Sequence, residues 1–229
     1  QNNKNEDGSD MMFLDNYMQA NPKHLYNWQK YDRNRLQLNG STFIEVQPVK
    51  GLTLRSQLSA NAFDVRSTNI SSPDTPTSTG TKGTGTVNES FQRSYSWTST
   101  NTAEYRHTFA DAHHFSALLG HESIYGSGHS FGVGTKGITN SDLLYLSKGT
   151  ETTALPTYST SKYAYNSAFF RAEYDYSEKY FVDASVRYDA CSRFGAENRG
   201  AIFWSVGAMW NLKQEAWLKD VDALSNLSL

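Results

Sequence analysis

The chain has 229 residues, a formal net charge of -2, 38% hydrophobic and 14% aromatic residues, and a single cysteine, Cys191. This composition gives no basic field for nucleic acid, allows no intrachain disulfide, and contains no run of about 18 apolar residues that could form a membrane helix. Low aliphatic content with fourteen Tyr fits a thin apolar face with amphipathic anchors, as found in outer-membrane barrels and in soluble β-proteins.

In chain order, the dominant period is two. Leu36, Leu38, Ile44 and Val46 alternate with Arg35, Gln37, Asn39 and Glu45, which predicts a strand with one apolar and one polar face. "PVKG" at 48–51 is a tight turn. Leu52, Leu54, Leu58, Ala60 and Ala62 continue the code in a second strand. Residues 66–89, rich in Ser, Thr, Gly and Pro, read as a long loop. A third strand over about 90–108 puts Phe91, Tyr95, Trp97, Ala103 and Tyr105 on one face. "FADAHH" is a turn, and a fourth strand over 114–125 carries Phe115, Ala117 and Leu119 opposite Gly120 and Glu122.

A second long loop covers 126–161. The fifth strand sets Ala168, Phe170, Ala172, Tyr174 and Tyr176 against Ser167, Arg171, Glu173 and Asp175. After "SEK", the sixth sets Tyr180, Val182, Ala184, Val186 and Tyr188 against Asp183, Ser185, Arg187 and Asp189. A connection over 189–200 leads to the seventh, with Ile202, Trp204, Val206, Ala208 and Trp210 on one face. "NLKQEAWLKDVD" predicts one helical turn, and "ALSNLSL" begins an eighth strand.

Short turns and long loops alternate, which segregates them to opposite ends of an antiparallel sheet, as in outer-membrane barrels. The eight steps from Tyr180 to Tyr188 span roughly 26 Å, or roughly 20 Å at a tilt of about 40°, near the apolar band of about 25 Å in such barrels. Mid-strand charges such as Arg55, Arg171, Glu173, Asp183 and Arg187 are costly in a dry core and cheap in a wet lumen. The fold expected is therefore all-β, an antiparallel transmembrane β-barrel segment of about eight strands from a larger barrel.

The run "YNSAFFRAEYDYSEKYFVDASVRYDACSRFGAENRGAIFWSVGAMWNLKQEAW" (165–217) resembles the SusC/RagA family of TonB-dependent outer-membrane transporters, as do "VKGLTLRSQLS" and "HFSALLGHE" earlier. The chain departs from the family's Asp-Gly-Ser-Ser at Ala190 and Cys191, and has Trp204 where a proline is usual. The resemblance implies a barrel of about 22 strands, with 1–229 an internal piece of it. Residues 1–30 would be an extracellular loop region, and 31–229 barrel strands with long extracellular loops at 66–89, 126–161 and 189–200. A plug domain and a TonB box are not found in this chain. The resemblance also implies TonB-dependent import of oligosaccharide or peptide cargo across a Gram-negative, Bacteroidetes-like outer membrane, with a SusD-like lipoprotein and TonB as partners, outer-membrane lipid as surroundings, and no enzymatic step. The alternative reading is a soluble or extracellular β-sheet binding module or adhesin.

No catalytic residue, metal site or cofactor is expected. Cys191 lacks a nearby His to activate it, and Asp189 is expected to pair with Arg193. His113 and His114 are adjacent on a strand and should diverge rather than converge on a metal. Polar-face Phe63, Tyr165, Phe169, Arg187 and Asp189 are the candidate substrate-binding residues. Tyr95, Trp97, Tyr180, Tyr188, Trp204 and Trp210 are expected to form the membrane girdle.

Overall fold

A computed structural model describes residues 28–75, 83–195, 199–218 and 225–229, together with residues 7, 13–14, 19–20 and 26. Its strands in chain order are β1 (Phe13–Leu14), β2 (Gln19–Ala20), β3 (Gln29–Val49), β4 (Leu52–Ser71), β5 (Gly85–Phe109), β6 (His113–Ile138), β7 (Glu151–Thr152), β8 (Thr157–Tyr176), β9 (Tyr180–Cys191) and β10 (Gly200–Trp210). β1 and β2 pair with each other. The rest form one eight-stranded sheet in the order β10-β9-β8-β6-β5-β4-β3, with β7 on β6. Neighbouring long strands are consecutive in the chain apart from β7, as hairpin after hairpin requires.

The tight turns have specific backbone chemistry. Gly51 takes φ +86°, and a Cβ there would lie 2.3 Å from the Arg106 carbonyl oxygen. Ser177 and Glu178 both take positive φ (52° and 57°), and Lys179 N–H donates to the Tyr176 carbonyl at 2.9 Å. Two left-handed central residues make the turn whose twist matches the flanking strands, here without glycine. The expected helical turn after β10 is a 3₁₀ turn at Leu212–Gln214. Of the eighth strand expected in "ALSNLSL", residues 225–229 are described and form an isolated bridge, not a strand: Trp210 and Leu229 exchange N–H···O bonds of 2.9 Å, and Ser228 bridges Asn211.

The long loops are shorter than the sequence suggests. β4 runs to Ser71, β5 starts at Gly85, β6 runs to Ile138 and β8 starts at Thr157. Much of 66–89 and 126–161 is therefore strand, and β9 takes three residues of the 189–200 connection and β10 one. The region 1–30 lies largely outside the described residues, with β3 already begun at Gln29.

The residues cluster into two compact units. The first comprises 1–37, 62–94 and 128–161, and buries Val65, Val87 and Ile138. The second comprises 38–61, 95–127 and 162–229, and contains the tight turns and all of β9 and β10. Large apolar side chains in it stand open to solvent, with Trp204 76% and Ile202 67% exposed.

Candidate functional site

Register in the second unit fixes two faces. Phe170, Val186 and Trp204 are opposite one another across β8, β9 and β10, as are Tyr176, Tyr180 and Trp210. On the other face Phe169, Arg187 and Phe203 align, and so do Arg171, Ser185 and Ser205. The apolar and polar rows expected from the alternation are thus separate faces of one sheet.

The polar face carries a charge cluster. Arg187 Nε donates to Asp189 Oδ1 at 2.6 Å, and Arg187 Nη2 donates to Glu122 Oε1 at 3.1 Å. Thr100 Oγ1 donates to Glu122 Oε2 at 3.4 Å. The expected Asp189–Arg193 pair is not made. Arg187 lies two residues from Asp189 on the same face, while Arg193, beyond the strand end, sets its guanidinium 4.8 Å from the Tyr163 ring centroid.

Arginine over aromatic ring recurs on this face. Arg187 lies 5.5 Å from the Phe169 centroid and Arg55 lies 4.0 Å from that of Phe43. The aromatics also fill space left by glycine on the neighbouring strand. A Cβ on Gly120 would fall 2.1 Å from Phe169 Cζ, and one on Gly126 would fall 2.2 Å from Tyr163 Cζ. Phe169 is thus held between a glycine and a guanidinium.

Four of the five expected binding residues, Tyr165, Phe169, Arg187 and Asp189, occupy this face in the second unit. Phe63 belongs to the first unit, where Arg35 lies 4.8 Å from its ring centroid. Tyr165, Arg187 and Asp189 also line a cleft of 270 Å³ with Phe194, Arg199 and Phe203. Glu122, Tyr163 and Phe203 were not singled out from sequence. The signal for Tyr163 and Phe203 was parity, since each shares the polar row of its strand; for Glu122 it was a carboxylate in mid-strand. Cys191, itself buried, also lines this cleft and lies opposite Tyr165 in register.

On the apolar face, Tyr95 and Trp97 both contact Tyr125, with centroids 6.2 and 6.3 Å away. The row on β5 then meets Arg93, which grips Asp64 through two bonds of 2.8 and 2.6 Å. Near the tight turns a ring ladder runs Tyr105–His107–Phe109–His113–Tyr176–Tyr180–Trp210, with spacings of 4.8 to 6.4 Å. Tyr188 and Trp204 share this face, Trp204 opposite Val186 in mid-ladder. His113 joins the apolar ladder while His114 bonds Thr108 at 3.0 Å, so the two imidazoles do diverge.

Glu215, in the connection after β10, accepts hydrogen bonds from Tyr180 Oη (2.8 Å), Trp210 Nε1 (3.2 Å) and Lys179 Nζ (3.3 Å). The Tyr180 bond, followed by those of Trp210 and Lys179, holds its carboxyl below the usual range.

A family model described as "TonB dependent receptor-like, beta-barrel" matches residues 2–221. The chain is 26% identical over 217 residues to TonB-dependent receptor P39 of Formosa agariphila, covering 93% of this chain and 20% of that protein. It is 40% identical over 63 residues to TonB-dependent receptor SusC of Bacteroides thetaiotaomicron, covering 28% of this chain and 6% of that one. A solved structure of the RagAB peptide transporter superposes with a TM-score of 0.87 at 30% identity, covering 97% of this chain and 25% of the other. The match spans nearly the whole of the described sheet, and the chain belongs to the TonB-dependent receptor-like β-barrel family.

Proposed function

We propose that this chain forms part of the wall of an importer that carries oligosaccharide or peptide cargo across a Gram-negative, Bacteroidetes-like outer membrane. The apolar face meets lipid and the polar face lines the lumen. A SusD-like lipoprotein serves as the partner at the long-loop end, and TonB supplies energy through a part of the protein outside this chain. Binding and passage, with no covalent step, is the mechanism. The carrying observation is the Glu122–Arg187–Asp189 cluster in mid-strand, directly behind the apolar row of Val186 and Trp204. Such charges are tolerated where water reaches them. Family membership favours this reading over a soluble binding module.

Tyr165 and Phe203 are the cargo contacts of the cleft, with Arg187 and Asp189 as polar contacts and Phe169 positioning Arg187. The test uses the full-length transporter in cells that depend on it for a nutrient. Tyr165→Ala with Phe203→Ala should slow growth on that nutrient while the barrel still assembles and retains its lipoprotein. Normal uptake by the double variant would remove the cleft from the cargo path.

A further inference from the structure

The first unit holds a second cleft, of 370 Å³, on the polar rows of β4 and β5 and beside β7. We propose that it binds an uncharged oligosaccharide, a reading that rests on the importer function proposed above and assigns a cargo class to a separate site.

The lining is dense in neutral hydrogen-bonding groups: Ser67, Asn69, Asn88, Ser90 and Thr153. Asn88 Oδ1 accepts from Thr153 Oγ1 at 3.1 Å, which fixes the orientation of the amide. Among the described residues of the lining the one charged group, Glu89, is already paired with Arg66 at 2.8 Å. An ionic cargo group therefore finds no opposite charge waiting for it. Tyr31 stands 68% exposed at the rim and offers an amphipathic ring face with a hydroxyl. The volume lies within the usual range for small-ligand clefts, about 300–1,000 Å³.

Peptide chains are commonly held by adding a strand to a free sheet edge, with main-chain hydrogen bonds supplying affinity. The floor here is the face of β4, β5 and β6, interior strands of the sheet, and β6 is also paired with β7 through Thr135 and Thr152. Main-chain groups of interior strands are used in the ladder, so recognition must come from side-chain amides, hydroxyls and an aromatic face. Closely spaced sugar hydroxyls match that set, and a neutral sugar needs no charge partner.

The test is calorimetric titration of the full-length transporter in detergent with neutral starch, β-glucan and mannan oligosaccharides, and with neutral peptides of similar size. At least one oligosaccharide should bind. Tyr31→Ala and, separately, Asn69→Asp should weaken it about tenfold, roughly the loss of one good contact, while Tyr31→Phe keeps most of the affinity. Both positions are exposed, and unchanged heat-modifiable gel mobility confirms assembly. The proposal is overturned if no oligosaccharide binds, if only peptides bind, or if all variants bind like wild type. Uptake of the labelled sugar by cells is read in parallel. A sugar that binds at this cleft without being imported would overturn the importer reading and leave the site standing.

Discussion

Arg187 connects several parts of the polar face, because it touches Glu122, Asp189 and Phe169 at once. Its side chain is 41% exposed, so each ion pair is worth no more than about 1 kcal/mol. Arg187→Met should therefore leave assembly intact and act mainly on cargo affinity, measured by titration of the full-length protein. Gly120→Leu should have the opposite profile. Its side chain must enter space held by the Phe169 ring, and overpacking of this kind costs about 1–3 kcal/mol, readable as a lower thermal midpoint in detergent. Glu215 supplies a pH signature. Its carboxyl titrates lower when folded than when unfolded, so its stabilisation is present above the unfolded value of about 4.3 and disappears as pH falls through the lower folded value. Glu215→Gln should lower the thermal midpoint at pH 7, and the gap from wild type should close in acid. A gap that persists unchanged at acid pH would contradict the role of the ionised carboxylate.

At the scale of the strand, the two faces make different demands. Ala184 lies in the apolar row of β9 and Ser185 in the polar row, opposite Ser205. Arginine at a lipid-facing midplane costs about 2–4 kcal/mol in such barrels. Ala184→Arg should impair assembly and Ser185→Arg should not, as read by heat-modifiable gel mobility; equal assembly would reverse the assignment of faces. The faces were legible in sequence because one of them is apolar. The strand ends were not. Beyond Ala62 on β4 the apolar row continues as Asp64 and Arg66 while Phe63 and Val65 stand on the other face, and beyond Tyr95 on β5 it continues as Arg93, so the apolar residues change faces and the pattern stops reading as one continuous strand. The main-chain ladder continues all the same, carrying β4 to Ser71 and β6 to Ile138. The candidate binding residues were partly legible for a related reason. Parity identified Tyr165 and Phe169, but only coordinates show that a guanidinium already covers Phe169 and that Phe203 stands open beside Tyr165.

For the whole molecule, the apolar face and the sheet edges set the conditions for stability. The described residues bury few hydrophobic side chains, among them Val65, Val87, Ile138 and Leu212, while Trp204, Ile202 and Val206 remain open. β3 and β10 end the sheet, and an unpaired strand edge invites association. The 229-residue piece alone in detergent-free buffer should aggregate or lack a cooperative unfolding transition. A soluble monomer with a sharp calorimetric transition would count against the transmembrane assignment.

The tight turns are tied to one another. Arg106 N–H donates to the Gly51 carbonyl, Ser177 N–H to that of Ala112, and Asn211 N–H to that of Lys179, at 2.8, 2.6 and 2.7 Å. A hairpin that slid by one residue against its neighbour would lose this link and exchange its two faces, sending every lumen charge toward lipid. These three bonds therefore act as a common zero mark from which each hairpin counts its residues, so an error in strand pairing costs a hydrogen bond at the turn as well as the facing of the strands.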